Sequence, residues 1–284
     1  MKKFLFSRSI AFRITLLVIL LAVVIPVVYY ITGGIGEAGA ASGAQVADSL
    51  SAGPIDRVVE NVAFGVGEKL TFDINYGFIN AGTASIEVGK LIEYNKRPCY
   101  QIISRAESNS FFSTFYRVDD RIESIFDATG LFSWRFGKHL KEGSYQAERT
   151  YAFDQEKHVV YDDKDTIEVK PYVQDALSVM YLVRTLPLEI GKSTYVDNYV
   201  DGKNYALEVR VLRKETVNVK AGAFDCLVVE PLTSSVGVFK NEGRLTVWLT
   251  DDRVRMPVLM KSKILVGSIS AELTDFKLGD IREF

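Results

Sequence analysis

The chain has 284 residues, 48% hydrophobic and 25% charged, with a net charge of −2 at pH 7. That is ordinary globular material, long enough for one large all-β domain or two small ones, and it excludes wholesale disorder. Lys2, Lys3, Arg8 and Arg13 put four positive charges and no acid in residues 1–13, so the remainder carries about −6; a mildly acidic body with no basic stripe argues against nucleic acid as a partner.

Residues 1–13 read as a cytoplasmic basic flank. Ile14–Ile31, ITLLVILLAVVIPVVYYI, follows without a charge, and as a helix it would span about 27 Å, close to a bilayer's hydrocarbon core. Two readings stay open. As a transmembrane anchor, 14–31 fixes a single-pass protein in the inner membrane, with Tyr29 and Tyr30 at the outer interface and the C-terminal domain in the periplasm. As a signal peptide, cleaved near the small-residue run Ala38–Ala44, it releases a secreted periplasmic protein. The apolar run is longer than a usual signal core of about 7–15 residues, which favours the anchor. Residues 32–58, rich in Gly, Ala and Ser, read as a flexible linker, and 59–284 as one exported β-rich domain.

Within that domain the apolar period is two. Leu70, Phe72, Ile74 and Tyr76 alternate with polar residues, a turn is expected at Asn80-Ala81-Gly82, and Ala84, Ile86 and Val88 resume the alternation. Cys99–Glu107 reads as a third strand. Phe111, Phe112, Phe115 and Tyr116 make an aromatic connection. Arg121–Phe126, Leu131–Lys138 and Tyr145–Phe153 continue the pattern, and His158–Asp162 and Thr166–Lys170 look like short edge strands. Val173–Leu186, VQDALSVMYLVRTL, is the one long helical pattern, apolar around most of its girth and flanked by Pro171 and Pro187. Such a helix belongs inside a domain. After Gly191 strands resume through Tyr195–Val200, Tyr205–Val211, Phe224–Pro231, Arg244–Thr250, Pro257–Val266 and Ser268–Phe276. About fourteen strands and one main helix, without βαβ alternation, predict an all-β, mainly antiparallel fold. The expected architecture is an incomplete or half-open β-barrel, or a curved sheet, around helix 173–186.

Recognisable chemistry is sparse. His139 and His158 form no zinc pattern, and no G-x-S-x-G elbow, phosphate loop or dinucleotide fingerprint is present. No metal, cofactor or catalytic residue is assigned, and an enzyme is not expected. The pairs Asp119-Asp120, Asp162-Asp163 and Asp251-Asp252 read as turn and surface residues, since neighbours on a strand face opposite ways. Cys99 and Cys226 can be free core thiols, or a disulfide closing a loop of over 100 residues, for which chain entropy predicts roughly 4–5 kcal/mol of stabilisation.

Four separated stretches carry a resemblance: VGEKLTFDINYGFINAGTASIEV at Val66–Val88, QDALSVMYLVRTL at Gln174–Leu186, VKAGAFDCLVVEP at Val219–Pro231, and GRLTVWLTDDRVRMPVLMKSKILVGSISAEL at Gly243–Leu273. In order and spacing they resemble the bacterial domain-of-unknown-function family numbered 3108, over roughly 61–284. That resemblance implies an exported, single β-rich envelope domain. A looser likeness, centred on Trp248–Lys261, is to the half-open barrels of bacterial lipoprotein carriers, where a lipid fits between curved sheet and helices.

The sequence therefore leads to a membrane-tethered periplasmic binding domain that holds a lipid or other apolar ligand between sheet and helix. Leu177, Met180, Tyr181 and Arg184 from the helix, with Trp134 and Trp248 from the strands, are the expected contacts. The alternative is a non-catalytic structural or interaction module of the cell envelope, offering strand edges or the Phe111–Tyr116 patch to a protein partner.

Overall fold

The computed structural model describes residues 55–163, 165–233, 245–263, 267–282 and 284. Among these residues fourteen strands form one antiparallel sheet. They are β1 (Lys69–Tyr76), β2 (Ile79–Tyr94), β3 (Arg97–Ser108), β4 (Asp119–Asp127), β5 (Ser133–Glu142), β6 (Tyr145–Asp154), β7 (Val159–Asp162), β8 (Asp165–Glu168), β9 (Ser193–Val200), β10 (Lys203–Val219), β11 (Gly222–Thr233), β12 (Leu245–Thr250), β13 (Pro257–Lys263) and β14 (Ser268–Lys277). A one-turn helix α1 (Ser110–Ser113) joins β3 to β4, and α2 (Ser178–Thr185) lies between β8 and β9.

The strand order is β8-β7-β6-β5-β4-β3-β2-β1-β14-β13-β12-β11-β10-β9. Two up-and-down meanders are thus welded where the first strand meets the last, with Leu70 opposite Phe276 and Ile74 opposite Ala271. Alternation drives this assembly: in β1 the residues Leu70, Phe72 and Ile74 are buried while those between them are not, the pattern of a sheet with one face turned to the core. Register shifts in β1–β2, β2–β3 and β10–β11 add the local bends a long sheet needs in order to curl.

The half-open barrel expected from the sequence is corrected on this topology. Edge strands β8 and β9 stand at opposite ends of the ladder, so the sheet is not a closed barrel. Side chains tie its two ends instead. Asp201, in the β9–β10 turn, accepts from Lys138 Nζ and Tyr151 Oη, both at 2.5 Å. Tyr199 Oη donates to Asp162 at 3.1 Å, and Asn204 Nδ2 to the Glu168 carbonyl at 2.7 Å.

The main helix is also shorter than the expected 173–186. Gln174 pairs in parallel with Asn198 of β9, its N–H donating to Asp197 O at 3.0 Å and its carbonyl accepting from Tyr199 N at 2.9 Å. Those bonds hold the backbone extended, and the helix starts only after Asp175. There Asp175 Oδ1 accepts from the N–H groups of Leu177 and Ser178, both at 2.7 Å, while Ser178 Oγ accepts the Asp175 N–H at 2.9 Å. This is a reciprocal cap. At the other end Leu186 is extended, with ψ 154°, as a residue before proline must be.

Among the described residues no helix is long and apolar enough to cross a membrane. Segment 14–31 lies outside those residues, as do 1–13 and most of the 32–58 linker. The transmembrane and signal readings, the inner membrane as partner and the single-pass inner-membrane location all rested on that segment. They give way to a β-rich domain with no tether in its described structure.

Arg184 is the largest fully buried side chain. Its Nη1 and Nη2 each donate to a Glu68 carboxylate oxygen at 2.7 Å, Nη2 also donates to Ala63 O at 3.0 Å, and Nε to Val254 O at 3.1 Å. Neither partner's side chain touches solvent. Arg184→Met strands an unpaired carboxylate in the core and is expected to cost about 3–5 kcal/mol. The double variant Glu68→Leu/Arg184→Met should recover most of that loss, and urea unfolding of the three proteins checks both statements.

Candidate functional site

Of the residues expected to hold a ligand, Leu177, Tyr181 and Trp248 are buried in the main core cluster and Met180 packs against it, half-buried. Arg184 is taken up by Glu68. Trp134 lies apart, in a second cluster with Cys99, Ile125 and Phe132 on the other face of the sheet, and its indole donates to Asp127 Oδ2 at 3.0 Å. The structure therefore does not bring Trp134 to the helix. Helix residues Leu177, Val179, Tyr181 and Leu182 pack in one cluster with strand residues such as Phe72, Ile86 and Val209. These helix residues pack as part of the core, and the reading of a membrane-tethered lipid-binding domain gives way to the alternative of an envelope module.

An open cleft of about 680 Å³ lies on the outer face beside the second cluster, lined by Ile55, Tyr94, Lys96, Arg97, Trp134 and Tyr161 among others. Trp134 is only 4% exposed there, and the Arg97 guanidinium is spent on Asp127 at 2.5 and 3.0 Å. Groups that look chemically suggestive in the sequence serve the architecture. Asp252 Oδ1 accepts from the N–H groups of Val254 and Arg255, both at 2.9 Å, and so builds the β12–β13 turn. His139 faces Glu148 across 4.0 Å at the surface. Among the described residues no group of three or more His, Cys, Asp or Glu could hold a metal ion.

What the fold does assemble is an apolar rim. The β1–β2 turn lies at Gly77-Phe78, not at the expected Asn80-Ala81-Gly82. Gly77 takes φ +60°, a conformation open to glycine at little cost, and this pushes Phe78 wholly into solvent. Phe78 and Ile79 are 107% and 56% exposed, and Phe111 and Phe115, in the β3–β4 connection, 64% and 75%. The two segments are stitched together. Asn109 N–H donates to Ala81 O at 2.9 Å, Asn109 Nδ2 donates to Asn80 O at 2.8 Å, and Asn109 Oδ1 caps α1 by accepting the Phe112 N–H at 2.9 Å. The Phe111 ring stands edge-on to Phe115 at 5.4 Å and to Phe112 at 5.6 Å. Tyr145, 54% exposed at the start of β6, turns at the same end of the sheet. The sequence marks Phe111–Tyr116 but not Phe78 and Ile79. Gly77 followed by an unalternating Phe-Ile is the signal that could have found them.

The family described as a protein of unknown function, DUF3108, matches residues 71–274. The chain belongs to the DUF3108 family. Among solved structures it is similar to a beta-barrel-like DUF1849 protein from Brucella abortus, with 13% identity, coverage of 77% of this chain and 100% of that one, and a TM-score of 0.51; at that identity the likeness is one of fold. A DUF1089 protein from Pseudomonas aeruginosa is 9% identical over 64% of this chain and 90% of its own, with a TM-score of 0.39. No curated protein matches the sequence.

The two cysteines of this DUF3108 domain are free and buried, with five strands between β3 and β11 in the sheet order. The disulfide is therefore not formed. Burial, reinforced by the nearby Asp127 charge, pushes the Cys99 thiol up to about 12, and burial with Asp225 does the same for Cys226. Thiolates are the reactive species, so iodoacetamide at pH 8 is expected to leave both unmodified in the folded protein and to label both in urea, as counted by intact mass.

Proposed function

We propose that this domain is a non-catalytic structural and interaction module of the bacterial cell envelope, which docks a protein partner on the rim of Phe78, Ile79, Phe111 and Phe115. The carrying observation is that four large apolar side chains are exposed on two separate segments, whose backbones Asn109 joins by hydrogen bonds to Asn80 O and Ala81 O. Scattered exposed apolar residues are ordinary, but a contiguous cluster mounted on a rigid frame is how binding surfaces are built. Phenylalanine rings with few rotatable bonds lose little entropy when a partner covers them. The non-catalytic part is supported by the structural uses of three buried carboxylates. Asp175 caps α2, Glu68 neutralises Arg184, and Asp127 holds Arg97 and Trp134. The envelope setting is supported by membership of DUF3108, a family whose resemblance in sequence implies an exported domain.

The rim fits a protein with an apolar groove bordered by hydrogen-bonding groups that can meet the polar Asn80–Asn109 seam. A photo-crosslinking phenylalanine at position 111 or 115, introduced in cells, should trap one protein species, and a control at Glu148 should not. With that species purified, Phe111→Ala/Phe115→Ala is expected to weaken binding about 30-fold or more, in line with interface hot spots of about 2 kcal/mol or above. Tyr195→Ala, an exposed aromatic on β9, should leave binding unchanged. Equal crosslinking at all three positions, or capture of the rim by lipid vesicles alone, would overturn the reading.

A further inference from the structure

Behind the aromatic connection lies a pair of buried carboxyl groups with a single donor to their four oxygens among the described residues. Asp120 on β4 is 4% exposed and Glu142, the last residue of β5, is 1% exposed. Asp120 Oδ1 accepts the Lys141 N–H at 2.8 Å. Asp120 Oδ2 and both Glu142 oxygens are buried with no hydrogen-bond partner among the described residues. Two ionised carboxylates are acceptors only and cannot satisfy each other. One proton makes either of them a donor to its neighbour.

Burial raises both groups. Glu142 is pushed to about 8 by burial and then by the charge of Asp120, and Asp120 to about 6 by burial against the pull of its hydrogen bonds. These values belong to the pair rather than to either residue. Asp119 adds negative charge beside Asp120. Lys138 draws Glu142 down, although its ammonium is held by Asp201 at 2.5 Å. The other ionisable groups on the packed elements are Glu107 of β3 opposite Asp119, Arg121 of β4 opposite His139, Lys141 of β5, Tyr145 of β6 opposite Glu142, and Tyr116 and Arg117 in the connection.

The pair sits at the point where the connection is fastened to the sheet. Val118 makes an antiparallel bridge with Glu142 itself. The Gly143 N–H donates to Arg117 O at 2.7 Å. The Tyr116 ring lies so close to Gly143 that a Cβ there would come within 2.7 Å of it. Below the fastening is the carboxyl pair, and above it is the aromatic connection.

We propose that Asp120 and Glu142 bind one proton between them, and that its loss unfastens Tyr116–Val118 from the β5–β6 turn and loosens the rim, making the surface pH-responsive. Only the biological consequence rests on reading the rim as a docking surface; the structural switch stands without it. The sign follows from linkage. In the opened state Glu142 is hydrated and returns toward its ordinary value of 4.5, so the closed state binds protons more tightly. The closed form is fully favoured below about 4.5 and loses that advantage as pH rises toward about 8, above which the opening equilibrium is flat. Between about 6 and 8 one proton is involved, and the opening constant should climb about tenfold per pH unit.

Amide hydrogen exchange on the intact protein tests this, with rates corrected for the intrinsic effect of pH. The Gly143, Val118 and Ser108 amides should lose protection about tenfold per unit between pH 6 and 8 and level off above, while β10–β11 amides show no such slope. Glu142→Gln, the shape of the protonated acid, should flatten the profile, and Asp120→Asn serves as the second variant if the Glu142→Gln protein fails to fold. Protection that is constant with pH in the wild type, or a slope surviving in both variants, overturns the switch. Crosslinking at position 115 at pH 6 and pH 8.5 separates the two ideas. A partner trapped equally at both, beside a pH-dependent amide profile, retires the coupling to docking alone; loss of all trapping with the profile intact retires the rim reading and leaves the switch.

Discussion

One buried ion pair connects nearly everything described above. Arg184 projects from α2 into the core, and its bidentate contact with Glu68 joins the helix to the turn entering β1, while its bonds to Ala63 O and Val254 O reach the N-terminal segment and the β12–β13 turn. The guanidinium also lies over Phe64 and Tyr181, 5.4 and 5.2 Å from their ring centres. Lysine would not serve here, because the planar fork supplies parallel donors to the carboxylate and further donors to backbone carbonyls at once. A charge this deeply buried is tolerable only when so fully paired. It therefore fixes how the helix is seated beneath the sheet.

Asp175 plays a complementary part at the other end of the helix. Its Oδ1 caps α2, and its Oδ2 accepts from Ser124 of β4 and Ser133 of β5, both at 2.5 Å. Burial pushes this carboxyl up and the four hydrogen bonds hold it down, with burial the larger influence. With Arg184 tied to β1 and Asp175 to β4 and β5, the short helix is pinned at both ends. The helix is thereby held as part of the core, with Leu177, Val179, Tyr181 and Leu182 in the main apolar cluster.

Polarity is thus inverted at two places for two reasons. Inside, the ionic groups orient a helix that apolar packing alone would let slide or rotate. Outside, the rim exposes phenylalanines that a monomeric fold gains nothing by exposing, on a frame built from Asn109 and Gly77. The Asp120–Glu142 pair links these two worlds, since its oxygens lie in the interior while the backbone of Glu142 holds the connection that carries Phe111 and Phe115.

Much of the fold was legible because alternation is local. The periods at Leu70–Tyr76, Ala84–Val88 and Tyr145–Phe153 all fall within strands, and the apolar girth of the helix did mean burial. Membership of DUF3108 was legible too, through four ordered motifs. The sequence by itself thus determined most of the strand segments and which of their faces are hidden, and it marked the aromatic connection at Phe111–Tyr116. Only the tertiary structure decided what those segments do together. Glu68 and Arg184 are 116 residues apart, and nothing in either neighbourhood announces the other, so Arg184 read as a ligand contact. The start of α2 was set by β9, which pulls Gln174 into an extended pairing that helix propensity could not foresee. Whether the sheet closed, whether Cys99 met Cys226, and which carboxyls lacked donors depended on strand order and register. These are global properties, fixed by which edges end up adjacent and not by any local run of residues.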